Sequence, residues 1–442
     1  MKTLSLAILV VLTTVMGAWA GGKLGTNLCT PEPLFAKLDA DRPLAELGRD
    51  LFYDPILSGN KTVACATCHH PVFGTSDALS LSLGDGGTGL GPARRADPQN
   101  MPEQRIPRNA QSLFNLGYRE FSVLFHDGRV EKLDNGLIRT PLGDIPDDGD
   151  LAALVALSAF PVISPDEMAG HYSENPVAKA VRRGVISGPG GAHQILADRV
   201  SAIPEYRAKF DRAFGQGTEI DYRGISAALA AFMAFEWRAD NSAFDRHLCL
   251  GEALPPDAAA GLDLFYQKAG CGDCHAGRFQ TDHGFHAIAM PQLGPGKAER
   301  FESHARDIGR MRVTGDPEDA YRFRTPSLRN VALTAPYGHS GAYPDLRSVI
   351  RHHVEPLDSL DAFDIDRVKL PVLTGADDFR ILASAEETQA IALANEIALP
   401  VLSDAEIDLL VAFLEALTDR SGVDGRLGVP QSVPSGLPVP GR

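Results

Sequence analysis

The sequence predicts a mainly α-helical, loop-rich fold with little β structure, built from two related domains packed together. Three observations carry this. Apolar residues recur at helical rather than alternating spacing. The 442 residues include 43 glycines and 31 prolines, which leaves long stretches for turns. One stretch of text also occurs twice: Gly48-Arg49-Asp50-Leu51-Phe52-Tyr53 and Gly261-Leu262-Asp263-Leu264-Phe265-Tyr266 agree at five of six positions. A single repeat of this kind means two related domains, not a solenoid.

The elements follow in chain order. Residues 1–20 read as a secretory signal: Met1-Lys2-Thr3, an apolar run from Leu4 to Val15, then Ala18-Trp19-Ala20 as the cleavage site. That run is too short and too early for a retained span, and no later stretch reaches the ~20 apolar residues a span needs. An exported chain without a membrane anchor is expected. The first domain is placed at residues 24–243 and the second at 244–418. In each, the repeated text is an amphipathic helix expected to pack on the edge of whatever the following motif binds. The second domain closes with Ser403-Asp404-Ala405-Glu406, a capping box. Ile407, Leu409, Leu410, Phe413, Leu414 and Leu417 follow at helical spacing. Residues 419–442, rich in Pro and Gly, are expected to be an extended tail.

Each repeat leads into Cys-x-x-Cys-His: Cys65-Ala66-Thr67-Cys68-His69 and Cys271-Gly272-Asp273-Cys274-His275. This is the attachment signal for c-type haem. The thiols add across the vinyl groups, and the histidine is the proximal iron ligand. A zinc site assembled from the two Cys pairs is the weaker reading, because the pairs lie far apart and each is followed directly by His. Two covalent haem c groups are therefore expected. A bacterial chain that is exported and carries haem c is periplasmic. Cys29 and Cys249 remain, and the sequence leaves open whether they form a disulfide or two separate thiols. The formal charge of −15 argues against nucleic acid as a partner.

Further motifs accompany these: Phe323-Arg324-Thr325-Pro326-Ser327-Leu328-Arg329-Asn330-Val331, Leu333-Thr334-Ala335-Pro336-Tyr337-Gly338-His339-Ser340-Gly341, Pro107-Arg108-Asn109 and Phe125-His126-Asp127-Gly128-Arg129. With them the chain resembles the bacterial dihaem cytochrome c peroxidase and MauG family from about Pro43 to Thr418. The resemblance implies two cytochrome c-like domains, one haem reacting with hydrogen peroxide and the other relaying electrons. It also implies an interdomain calcium ion, held by position through Asn109, Thr334 and Pro336; oxygen donors suit calcium.

Three departures from the peroxidase pattern point to the subtype. Asp85 stands where a loop His caps the peroxide haem in many of these peroxidases, which predicts an open iron; the alternative is a cap from a distant His. His353 stands where peroxidases place Met and MauG a Tyr, opposite His275. Helical phase agrees, since Leu346, Val349, Ile350 and His353 share one face and His352 is turned away. His352 and Met311 are the rival ligands. An imidazole in place of Met lowers the haem potential. Finally, His126 replaces the Trp usual between the haems, so Phe125, His126 or a nearby Tyr must bridge them, if anything does.

Peroxide cleavage needs a group that moves a proton between its two oxygens. Glu167 matches the family's distal acid, and burial in a haem pocket would raise its pKa. The bland reading is a helix N-terminal acid, a role Asp166 also fills. The acidic stretch from Asp144 to Asp150 is expected to be solvated loop. The leading function is then a MauG-like oxidase. Using hydrogen peroxide, it would withdraw electrons from Trp or Tyr of a periplasmic partner protein through a high-valent dihaem state. One alternative is a cytochrome c peroxidase fed by a small cytochrome or cupredoxin. The other is a non-catalytic electron carrier.

Overall fold

The computed structural model describes residues 29, 33–297 and 302–442. The expected signal, residues 1–20, lies outside them. Helices dominate, and the strands are short. The repeated text forms α1 (Arg42–Tyr53) in the first half and α3 (Pro256–Tyr266) in the second. Each crosses a second apolar helix: α1 lies on α2 (Tyr222–Glu236), and α3 on α5 (Asp404–Ala416).

The glycine shared by the two copies explains the crossings. A Cβ on Gly48 would collide with the Ala228 carbonyl oxygen, and one on Gly261 with that of Leu409. Only glycine lets the backbones meet this closely. The repeat is thus first of all a helix-crossing device, not only the haem-edge surface expected. Around the crossings, Phe52 packs on Phe232 (ring centroids 5.3 Å apart) and on Trp237, while Phe265 packs on Phe413 (5.1 Å). Two apolar cores result, one around each crossing. The expected capping box starts α5: Ser403 Oγ accepts from Glu406 N, and the Glu406 carboxylate accepts from Ser403 N.

A four-stranded antiparallel sheet joins Val123–Leu124, Val130–Lys132, Leu137–Arg139 and Ile145–Pro146, in the register Val123 opposite Glu131 and Glu131 opposite Arg139. Its last strand falls within the acidic stretch read as loop. The side chains there are exposed, and the carboxylates meet cations: Asp147 with Lys132, Asp148 with Arg223, Asp150 with Lys37. A two-stranded ladder pairs Phe285–His286 with Phe323–Arg324.

The two halves are tied by buried ion pairs. Arg108 contacts Asp127 (2.6 Å) and Asp307 (2.6 and 2.9 Å), and Arg105 is bidentate on Asp378. Cys29 and Cys249 form a disulfide, closing the choice the sequence left open. The tail differs from expectation. It opens with a short helix, Arg420–Asp424, then returns to the first half, burying Val433 and Val439 in that core. No helix among the described residues is long and apolar enough to cross a membrane.

Candidate functional site

The two Cys-x-x-Cys-His motifs adopt matching local structures. Cys65–Cys68 is a single helical turn, and Cys271–Asp273 a 3₁₀ turn. Each following histidine is tied through Nδ1 to a backbone carbonyl: His69 to Thr75 at 3.0 Å and His275 to Gln280 at 2.9 Å. This leaves Nε2 as the atom that can bind iron. Metal-ligating imidazoles are oriented in this way, by a partner on the other nitrogen. Burial lowers both pKa values, that of His275 to about 4, so the imidazoles are neutral and ready to ligate at pH 7. The four cysteines of the motifs are free of disulfides. Donor set and orientation fit two covalently held haems.

Glu167 lies on a π-helical turn, Pro165–Ala169. Its backbone is clamped to the loop that carries Asp85, whose N–H donates to the Glu167 carbonyl at 2.9 Å. Asp85 itself is fully buried. It accepts from Asn60 Nδ2 (2.7 Å), Thr62 Oγ1 (3.1 Å) and Asn100 Nδ2 (3.3 Å). Burial raises its pKa, and these donors oppose the rise. The neighbouring acids divide their roles: Asp166 is bound by Gln104 Nε2 at 2.6 Å, whereas the half-buried Glu167 carboxylate has no hydrogen-bond partner among the described residues. Its field raises the pKa of His69, against the larger effect of burial.

His352 and His353 are carried by α4 (Leu346–Val354). Both histidines near its end point inward, which departs from the expected phase. His352 is the more buried, with both nitrogens engaged: Tyr343 OH to Nδ1 at 2.9 Å and Nε2 to the Ile288 carbonyl at 2.8 Å. The layer formed by Ile288 and Tyr343 covers the face that helical phase alone assigns to solvent. His353 has Nδ1 on the Val349 carbonyl (2.8 Å), its Nε2 has no hydrogen bond among the described residues, and it lies close enough to His275 to lower that residue's pKa. Met311 begins the short helix Met311–Thr314.

Between the halves, the His126 carbonyl accepts from Arg324 N at 2.8 Å. Its imidazole is held well below its ordinary pKa by burial, with Arg108, His339 and Arg324 adding to the effect. Phe125, at φ 66°, lies under the Arg129 guanidinium, 3.6 Å from the ring centroid. Asn109 sits on the loop of the expected calcium ligands: its N–H donates to the His339 carbonyl (2.8 Å), and Nδ2 to the Leu79 and Ser80 carbonyls. Its Oδ1 and the carbonyls of Thr334 and Pro336 accept no hydrogen bond among the described residues.

Two residues near these groups were missed in the sequence. Lys297 is half-buried, its pKa lowered to about 8 by loss of hydration and then by Arg129, with Glu167 opposing. His171 is buried, and among the described residues neither of its nitrogens is hydrogen-bonded; Nδ1 lies 3.8 Å from Glu103. Neither lies in a motif, and only tertiary packing reveals them.

A helical fold of two crossing-helix cores, each with its own haem-attachment motif, defines a dihaem c-type protein. The sequence model for di-haem cytochrome c peroxidases matches residues 42–253. The chain is 30% identical over 403 residues to the methylamine utilization protein MauG of Paracoccus denitrificans, covering 86% of this chain and 90% of that one. It is 27% identical over 350 residues to cytochrome c551 peroxidase of Nitrosomonas europaea, covering 79% and 83%. Among solved structures, a MauG-like protein associated with microbial copper homeostasis superposes with a TM-score of 0.56 at 26% identity, covering 86% and 91%. The chain belongs to the di-haem cytochrome c peroxidase family. Membership gives it two haem groups and peroxide-dependent oxidoreductase chemistry at the level the whole family shares.

Proposed function

We propose that this chain is a periplasmic dihaem oxidase. It reacts with hydrogen peroxide at the haem held by Cys65, Cys68 and His69, and withdraws electrons from Trp or Tyr side chains of a partner protein. The observation that carries the reading is the burial of Asp85. In the loop where related peroxidases carry a capping His, the Asp85 side chain is committed to Asn60, Thr62 and Asn100. The bound haems supply the redox-active irons. Glu167, the acid left without a partner, takes the proton from the inner peroxide oxygen and returns it to the outer one. His353, with Nδ1 anchored on the Val349 carbonyl, is the residue that would offer Nε2 to the haem held by Cys271, Cys274 and His275. His126 lies between the two halves, and Asn109, Thr334 and Pro336 are the residues that would hold a calcium ion there. Residues 24–243 and 244–418 act as the two haem domains. The Cys29–Cys249 disulfide supports the oxidising compartment.

A second reading is favoured by His171. A buried imidazole without hydrogen bonds could cap the first haem and make the chain a conventional peroxidase fed by a small cytochrome or cupredoxin. Low-temperature EPR of the ferric protein separates the two. One high-spin and one bis-imidazole low-spin signal, both lost on one equivalent of peroxide without prior reduction, support the oxidase. Two low-spin signals that ignore peroxide until half-reduction, reverting to one high-spin signal in His171→Ala, support the peroxidase.

A further inference from the structure

Among the described residues, three buried tyrosines donate their phenol proton to a side chain that can accept it. Tyr206 donates to Asp54 (2.7 Å), but that carboxylate is fully buried and also holds Ile56 N and Ser435. Tyr343 pairs with His352, whose other nitrogen ends on a backbone carbonyl. In both cases the proton stays inside the protein. Tyr118 differs. Its ring is 2% exposed, yet its hydroxyl donates to Asp240 at 3.0 Å, and Asp240 is exposed to solvent.

Tyr118 also joins the two halves. Its ring meets Phe35 edge-on in the first half (4.6 Å between centroids) and Phe279 in the second (4.7 Å). Phe279 adjoins Gln280, whose carbonyl holds His275 Nδ1 at 2.9 Å. A short route therefore links the phenol to the second proximal histidine: one ring contact, one peptide unit and one hydrogen bond. The Arg278 guanidinium lies over the Tyr118 ring at 4.4 Å and donates to its hydroxyl at 3.3 Å. A tyrosyl radical cation under that charge would be disfavoured, so oxidation requires the proton to leave with the electron. Asp240 is placed to take it.

We propose that Tyr118 is the station through which oxidising equivalents leave the haems for a one-electron donor at the surface around Asp240, the donor being an oxidisable aromatic side chain presented by a protein. The inference rests on the peroxide reading above and extends it. The step balances as follows. One electron passes from Tyr118 to the haem pair oxidised by hydrogen peroxide. The O–H bond breaks, its proton moves to the Asp240 carboxylate, and a neutral phenoxyl beside a neutral carboxylic acid remains. An electron from the donor, with the proton returned by Asp240, restores the phenol.

The test is EPR of the holoenzyme frozen after one equivalent of peroxide, with natural and ring-deuterated tyrosine. The expected result is loss of the ferric haem signals and an organic radical that narrows on deuteration. The radical should vanish in Tyr118→Phe and fall at least tenfold in Asp240→Asn, which keeps a hydrogen-bond acceptor but cannot take the proton. Absorption spectra and circular dichroism of the ferric variants should match wild type, showing that they fold. Ferric signals lost with no tyrosyl radical, or with equal yield in Tyr118→Phe, would overturn this inference alone. Ferric signals untouched by peroxide, even after half-reduction, would overturn the peroxide reading and this inference together.

Discussion

His353 donates from Nδ1 to the carbonyl of Val349, 2.8 Å away and one turn back on the same helix. The bond fixes the tautomer and leaves the Nε2 lone pair free, while His352 beside it has none to offer. Replacing His353 by Ala should therefore abolish the bis-imidazole low-spin EPR signal, and replacing His352 by Gln should retain it. His353→Met should raise that haem's reduction potential in a redox titration, since thioether ligation favours the reduced iron. A low-spin signal that survives His353→Ala would mean another ligand.

Glu167 and Asp166 are adjacent carboxylates with unequal freedom, because Gln104 holds only Asp166. Glu167→Gln should slow the reaction with peroxide by about 10²- to 10⁴-fold, the usual worth of a positioned proton-transfer group. Asp166→Asn should change it little. Stopped-flow absorbance after mixing with peroxide reads both. Equal effects of the two variants would remove Glu167 from its role.

The haem motifs and the paired cores were legible because they are written as local text: two copies of Cys-x-x-Cys-His, and a glycine repeated at the same place in two helices. What the sequence hid depends on tertiary neighbours. Helical phase turned His352 outward, but it could not see Ile288 and Tyr343 closing over that face. Cys29 and Cys249 are 220 residues apart, and nothing local selects their pairing. His171 looks like an ordinary loop residue until the fold buries it, and Lys297 until Arg129 and Glu167 are brought around it.

Arg108 is the shared cation of two buried carboxylates from different halves. Burial alone would raise the pKa of Asp127 and Asp307, but Arg108 overcomes this and holds both well below the carboxylate range. Arg108→Met should destabilise the protein by about 3–5 kcal/mol, the cost of stranding buried charge. Adding Asp127→Asn and Asp307→Asn should recover part of the loss. Urea denaturation measures it, and a change below about 1 kcal/mol, as for an exposed pair, would show that the network is not a tie between the halves.

His339 is buried, stacked on Phe323 at 3.7 Å between ring centroids, with Nε2 unpartnered. Burial, with Arg108 assisting and Asp307 opposing, lowers its pKa to about 4. The unfolded chain titrates near 6.5. Between these values the unfolded state binds more protons, so stability rises with pH across the window and is lost as pH falls through it. The single group contributes up to about 3 kcal/mol. His339→Asn should flatten the stability profile between pH 4 and 6.5. It should leave the steeper loss below about pH 4, where the carboxyls of Asp127 and Asp307 protonate in the unfolded chain but stay ionised in the fold. An unchanged slope would mean that His339 reaches water.

The tail was expected to be merely extended, since its Pro and Gly content speaks only to local backbone freedom. Its actual partner is a buried carboxylate. Glu236, at the end of α2, accepts from the backbone N–H groups of Arg426 (2.9 Å), Leu427 (2.7 Å) and Gly428 (2.7 Å). Three donors to one charge are worth about 1.5–3 kcal/mol each before the cost of ordering the tail. Ser435 adds a bond to Asp54, and Val433 and Val439 fill the first core. Deleting residues 426–442 should therefore lower stability by several kcal/mol, because it strands the Glu236 charge as well as removing apolar contacts. Combining the deletion with Glu236→Leu should recover the part due to charge. If the truncated protein unfolds at the same urea concentration as the full chain, the tail is only a surface passenger and Glu236 finds water when it leaves.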